Sequence, residues 1–277
     1  MTSVGYPGRD GAHSAAACER LFPDGSKLVP LPSFSAVVHA TTSGEVAFGV
    51  LPIESSLSGP VAETHDLLYE SALAIAAEAV LPIRHCLVGV AHVELDEIRV
   101  VHSHPVALDQ CRQLLASLPQ ATAVAAATTA DAAAHVAGLS DAAEVAIASE
   151  RAAGLYGLTI VASDVGDHPE AYTRFVSVAP YVRIEANGAP WRTAFSFVTD
   201  HQPGALHGAI EPFARHGIDL LQLVSRPIPH TPWRYRFDAV LGGHPLDPLV
   251  REAFADLRSR TRSIRVFGSY PAQNGQA

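Results

Sequence analysis

Near residues 180 to 191 the hydrophobic pattern of this 277-residue chain changes, and that change constrains the fold most. Pro180, the turn-prone Asn187-Gly188 and Pro190 form a short polar connection. Beyond it, Ala194 to Val198 alternates like a strand, and Pro203-Gly204 opens a helical stretch from Ala205 to His216. Strands over Ile218–Val224 and Trp233–Val240, a helix over Pro248–Arg258 and a strand over Ser263–Phe267 complete a βαββαβ order, the ferredoxin-like plan. Before the connection, short β-branched runs at Val37–Ala40, Val46–Leu51 and Ile98–Val101 read as strands. Helical spacing falls before, between and after them, at Ala15–Phe22, Val61–Ser71, Pro105–Ser117 and Ala142–Leu158. The expectation is an α/β protein of two domains.

Composition excludes several classes. A formal net charge of −9 argues against nucleic acid, whose phosphates need a basic face. It also means that an anionic ligand must be held by local donors against a repelling global field. Neither a signal segment nor an apolar run of membrane-spanning length is visible, so no membrane partner is expected. Cys18, Cys86 and Cys111 are odd in number and show no CxxC spacing, which suits free thiols in the cytoplasm. Fourteen histidines include no HxxxH or HExxH pair, so no metal site and no cofactor are expected.

Four segments carry residues capable of chemistry. Ser103-His104-Pro105 joins a strand to a helix; it is either a plain helix cap or a carboxylate site at the helix N-terminus. Gly8 to Ser14 has the same loop-to-helix character. Glu54-Ser55-Ser56 ends a hydrophobic strand, where ligand sites of α/β proteins open. In Thr173-Arg174-Phe175, Arg174 either anchors a carboxylate with its fork of donors or pairs with an internal glutamate. His85-Cys86-Leu87 reads as a buried strand without chemistry.

Taken in order, Leu51–Ser56, Ser103–Cys111, Ala171–Phe175, Pro203–Leu206 and Ser225-Arg226-Pro227 resemble the prephenate dehydratase family, over roughly residues 3 to 271. The resemblance implies a two-lobed catalytic domain like a type II periplasmic binding protein over 1–182, with lobes of about 1–78 plus 162–180 and 79–161. It also implies a ferredoxin-like βαββαβ ACT regulatory domain over 190–271. The implied reaction turns prephenate into phenylpyruvate, with loss of water and CO2 and without a cofactor. Thr173 would assist the departing ring hydroxyl. Ser14, Ser55, Ser56, Ser103, His104, Gln110 and Arg174 would bind substrate. Gly204, Ala205, Leu206, Ser225 and Arg226 would bind L-phenylalanine as effector, at an interface of a homodimer or homotetramer.

The chain departs from the family pattern at Ser55 and Ala171, each in place of Asn, and at Val224 in place of Glu. The Gly11-Ala12-His13-Ser14 opening resembles the arogenate dehydratase branch slightly more. Arogenate dehydratase and a non-catalytic sensor of aromatic metabolites are therefore the competing readings. A decarboxylase that does not aromatise its substrate ranks below both.

Overall fold

The computed structural model describes residues 1–181, 190–229 and 231–273; the expected Asn187-Gly188 turn lies outside them. Strands β1 (Ser3–Pro7), β2 (Lys27–Leu31) and β3 (Phe48–Ser55) alternate with helices α1 (His13–Leu21) and α2 (Phe34–Ser43). The two-residue β4 (Gly59–Pro60), helix α3 (Ala62–Glu70) and strand β5 (Ala74–Pro82) follow. Past residues 83–85 the chain enters a second sheet made of β6 (Cys86–Gly89), β7 (Val100–Ser103), β8 (Thr122–Ala125), β9 (Glu144–Ala148) and β10 (Thr159–Ala162). Helices α4 (Pro105–Asp109), α5 (Arg112–Ala116), α6 (Thr129–Ala137) and α7 (Glu150–Tyr156) connect these strands. Residues 163–171 lead back, and β11 (Tyr172–Ala179) inserts between β3 and β5. The first sheet thus runs β2-β1-β3-β11-β5, with β4 paired to β3, and the second β10-β6-β9-β7-β8.

Three segments differ from the sequence expectation. Val37–Ala40 is not a strand but part of α2: Ser33 accepts a hydrogen bond from Ala36 N at 3.1 Å, and Gly44, at φ 80°, ends the helix in the left-handed region. A four-residue apolar run carries no period of its own, so the caps decide. Ala142–Leu158 is not one helix either. Val145 to Ala148 form a central strand buried on both faces, and Ser149 caps α7 by accepting from Ala152 N at 3.1 Å. The Pro105–Ser117 stretch breaks at Gln110-Cys111. There Asp167 accepts from the amides of Arg112 and Gln113 at 2.9 and 3.0 Å, which satisfies the first turn of α5.

The third sheet follows the expected order, with β12 (Trp191–Val198), α8 (Ala205–Arg215), β13 (Leu220–Pro227), β14 (Tyr235–Gly242), α9 (Pro248–Ser259) and β15 (Ser263–Pro271). Its strands are antiparallel in the order β13-β14-β12-β15. Alternation along β12 sends Phe195 and Phe197 toward Phe213 of α8 and Phe254 of α9. Ala194 joins a different core, shared by Phe267 and Tyr270 with Leu51, Leu68, Ile75 and Val176 of the first sheet and its helices. The third sheet is therefore packed on both faces.

At Gly268 the backbone of β15 passes against that of β5, with φ at 155°. A Cβ there would overlap the Ile75 carbonyl oxygen and amide, and backbone cannot yield as a side chain can. Gly268→Ala is expected to cost roughly 2–4 kcal/mol in urea denaturation. A loss under about 0.5 kcal/mol would show that the two sheets can separate there freely.

A cleft walled by helix N-termini

Between the first two sheets opens a cleft of about 630 Å³. Thr173 faces it from β11, directly across from Ser55 of β3 in the strand register. Ser56 fixes that neighbour relation: its Oγ accepts from Tyr172 N at 2.9 Å, and its own amide donates to Tyr172 O at 2.8 Å. Ser55 Oγ accepts from the amides of Leu57 and Ser58, both at 3.3 Å, and so shapes the turn that leaves the strand. Ser14 lines the cleft in the first turn of α1, where Ala12 at the cap position has no side-chain oxygen to bond the helix amides.

From the second lobe come His104 and Gln110. His104 Nδ1 accepts from Val106 N at 3.3 Å, so the imidazole is itself the cap of α4. A neutral ring used this way carries its proton on Nε2. Burial lowers the His104 pKa, which favours that neutral form. Gln110 Oε1 lies 2.9 Å from His85 Nε2. The Gly8–Ser14 loop is steadied across the cleft by Ser149 Oγ donating to Gly11 O at 3.1 Å and Tyr156 Oη to Asp10 O at 2.7 Å.

Three residues expected to bind substrate do not line the cleft: Ser103, Arg174 and Ser56, whose hydroxyl is engaged by Tyr172 N. Ser103 is fully buried and donates to Ile147 O at 2.7 Å, tying β7 to β9. Arg174 lies on the opposite face of β11 from Thr173, because successive strand residues alternate. There its Nε reaches Glu54 at 3.2 Å and its Nη1 reaches Glu78 at 2.9 Å. Glu78, fully buried, also takes Arg192 of β12 at 2.8 Å, and Glu54 accepts from Gln222 of β13 at 2.9 Å. Burial alone would lower the Arg174 pKa, but Glu78 and then Glu54 outweigh it and hold the guanidinium charged above its ordinary value. The internal-glutamate alternative is the one realised.

Sequence reasoning missed two histidines. His13 and His85 both line the cleft, with ring centroids 6.3 Å apart; His85 is buried and His13 half-buried. Among the described residues, His13 Nε2 and His85 Nδ1 have no hydrogen-bond partner. Burial, with His85 nearby, pushes the His13 pKa down to about 4, and burial lowers that of His85. Because His13 is harder to protonate folded than unfolded, its contribution to stability is present above pH ~6.5 and is lost as pH falls toward 4. At pH 5 the loss from this one group is about 2 kcal/mol relative to pH 7. Urea midpoints at the two pH values, with His13→Phe as the comparison, check it: the substitution is expected to remove that share of the pH slope.

Among the described residues lining the cleft there is no lysine or arginine, and Glu63 is the single carboxylate. What the walls offer is helix N-termini. Residues at the starts of α1, α2, α3 and α6, each nine or ten residues long, and of the short α4 all border the space. Their aligned peptide dipoles and unpaired first-turn amides favour anions without any formal charge.

In the third sheet, Gly204 begins α8 at φ 80° and, with Ala205, borders a hollow of about 480 Å³ whose rim includes Arg260 and Arg262. Leu206 packs into the core beneath the helices. Ser225 is exposed on β13, and neither it nor Arg226 lines that hollow. Arg226 turns to the first lobe and pairs with Asp66 of α3.

The prephenate dehydratase family profile matches residues 4–181. The Arabidopsis thaliana protein arogenate dehydratase/prephenate dehydratase 2, chloroplastic, is 36% identical over 97% of this chain and 72% of its own length. A solved prephenate dehydratase from Arthrobacter aurescens, in complex with L-Phe, superposes with a TM-score of 0.88 at 30% identity, covering 98% of this chain and 90% of the other. A structure described as GqqA, a novel type of quorum quenching acylases, also gives a TM-score of 0.88, at 31% identity and 98% coverage of both chains. With the family profile spanning both lobes and the cleft between them, the chain belongs to the prephenate dehydratase family.

Proposed function

We propose that this chain catalyses the conversion of prephenate to phenylpyruvate, in the direction of phenylalanine. The carrying observation is that Thr173 and Ser55 stand side by side in a cleft whose walls are helix N-termini without a cation. Prephenate brings two carboxylates and a ring hydroxyl. The carboxylates suit amide donors at α1, α4 and their neighbours, which orient the ring. The Thr173 hydroxyl donates to the leaving ring oxygen. The C–O bond breaks with its pair on oxygen as the C–C bond to the ring carboxylate breaks to release CO2. The C–C pair becomes the last ring double bond, and the departing hydroxide takes the Thr173 proton, which solvent restores, to leave as water. Walls without formal positive charge hold the ring carboxylate weakly once it begins to lose its charge.

In this reading, residues 1–182 are the catalytic domain, with the periplasmic-binding-protein-like lobes assigned above, and 190–271 are an ACT domain. The Phe-bound Arthrobacter aurescens relative supports L-phenylalanine as effector. Strand β13 is an edge strand with Leu221 and Leu223 exposed beside Ser225, a surface suited to pairing with a second copy in a dimer or tetramer. Val224 in place of the family's Glu removes one carboxylate from that effector site. Three buried, unpaired cysteines fit a reducing compartment such as the cytoplasm.

Arogenate is the second substrate to consider, because its side chain carries an ammonium and Glu63 supplies one negative charge in the cleft. Acyl-transfer chemistry of the kind described for the acylase relative is disfavoured. Among the described residues no serine or threonine hydroxyl of the cleft is hydrogen-bonded to an imidazole that could activate it. Purified protein incubated with prephenate, then with arogenate, tests the reading through the alkaline absorbance of phenylpyruvate and through phenylalanine release. Turnover of either supports a dehydratase, and Glu63→Gln is expected to impair arogenate selectively. Binding of either compound without turnover would replace the enzyme by a sensor.

A further inference from the structure

On the second lobe, away from the cleft lining, three ligating side chains from three separate elements meet: His102 of β7, His135 of α6 and Glu144 of β9. One ligand atom from each lies within 4.8 Å of the other two. His102 Nε2 is 2.9 Å from a Glu144 carboxylate oxygen, and the two imidazole rings meet edge-on with centroids 4.8 Å apart. The topology makes this meeting possible. β7 and β9 are parallel neighbours in register at Val100↔Glu144 and His102↔Ala146, so His102 and Glu144 are diagonal neighbours on the sheet, and α6 packs over both strands.

We propose that His102, His135 and Glu144 form a binding site for a divalent transition ion of the zinc, cobalt or nickel class. Two imidazoles and a carboxylate are a known donor set for such ions and leave coordination positions for water. Hard ions such as magnesium prefer all-oxygen shells and are excluded by the same donors. Side-chain rotation alone must close the widest ligand separation by up to about 1.4 Å to reach a tetrahedral shell with bonds near 2.0–2.1 Å. His102 is 8% exposed and held by its strand, whereas His135 is exposed and has no hydrogen-bond partner among the described residues, so its ring is free to turn inward. His135 also occupies the last turn of α6, the helix end at which a positive charge is favoured. A bare His102–Glu144 hydrogen bond accounts for two of the three groups; the ion accounts for the third.

Occupancy would tie the far end of α6 to the sheet. Its near end carries Thr128 and Thr129, which border the cleft, and Asp131, which meets Arg9 of the other lobe at 2.8 Å. An ion at His135 therefore stiffens one wall of the cleft without entering it.

The test is titration of chelator-treated full-length protein with Zn²⁺ by calorimetry and with Co²⁺ by visible absorption. Mg²⁺ serves as the control ion and His92→Ala as the control for surface histidine. The expected result is one saturable ion per chain, with His135→Ala and Glu144→Gln each weakening it roughly 100-fold and His92→Ala leaving it unchanged. His135 is exposed, so its variant is expected to fold, and circular dichroism with thermal unfolding checks this. Zn²⁺ is expected to raise the Tm of the parent by a few degrees and that of His135→Ala by much less. Weak non-saturable uptake, equal binding in both ligand variants, or competition by Mg²⁺ at similar concentration would each overturn the proposal.

Discussion

Thr173→Ala is expected to lower kcat for prephenate about 100- to 1000-fold while changing KM little. A single donor aimed at charge developing in the transition state is worth that much in a water-poor site. In the proposed function the substrate's carboxylates are held by amides, which the substitution leaves in place. Thr173 makes no side-chain hydrogen bond in the folded protein among the described residues, so stability should stay within about 0.5 kcal/mol of the parent. Thr173→Ser, which keeps the hydroxyl, is expected to retain most of the rate. Steady-state kinetics beside a thermal melt separates the possibilities. A parent-like kcat in the alanine variant would remove Thr173 from the chemistry, and a matched fall in Tm would make it structural.

Arg174→Ala is expected to act through stability instead, by about 2–3 kcal/mol. The guanidinium is shared by the half-buried Glu54 and the fully buried Glu78, and its removal takes from Glu78 one of two cationic partners at a place solvent does not reach. Arg192 still meets Glu78 from β12, which sets the loss below that of isolating the carboxylate completely. Glu54 adjoins Ser55 and Arg174 adjoins Thr173, so the two cleft residues rest on this network from behind. Urea denaturation measures the loss. Kinetics on the fraction that remains folded should show kcat falling more than KM rises. A large rise in KM with unchanged stability would restore Arg174 as a carboxylate anchor and contradict the geometry.

The ordered motifs made the family legible before any coordinates and singled out the segment from which Thr173 faces the cleft, and the hydrophobic pattern beyond residue 190 made the βαββαβ unit legible. The motifs are short local signatures, carried by strand ends and strand-to-helix turns. Facing direction was not legible. Ser103 and Arg174 belong to the right segments, but whether a strand residue points to the cleft or to a neighbouring sheet depends on which partner covers each face. The lost helix at Ala142–Leu158 has the same origin: a central strand covered on both sides is apolar throughout and imitates a helix until Ser149 is recognised as a cap. His13 could have been found by asking what a histidine in a loop-to-helix turn would meet. The pairing with His85 joins residues 13 and 85 and has no local signal. The same holds for His102, His135 and Glu144, which are separated by 33 and 9 positions and meet only because β7 and β9 lie in register.

The absence of lysine and arginine from the described cleft lining has a consequence for how such an enzyme can change over generations. When anchoring is done by peptide amides at helix starts, no single codon holds the substrate's carboxylates, and point substitution of a side chain cannot abolish the grip. Ser55, Glu63, Ala171 and His13 can then vary to suit a ketone, an ammonium or a different ring substituent while the anion cradle is inherited unchanged. A lineage built this way can exchange one aromatic precursor for another in small steps, each intermediate still binding what it must transform.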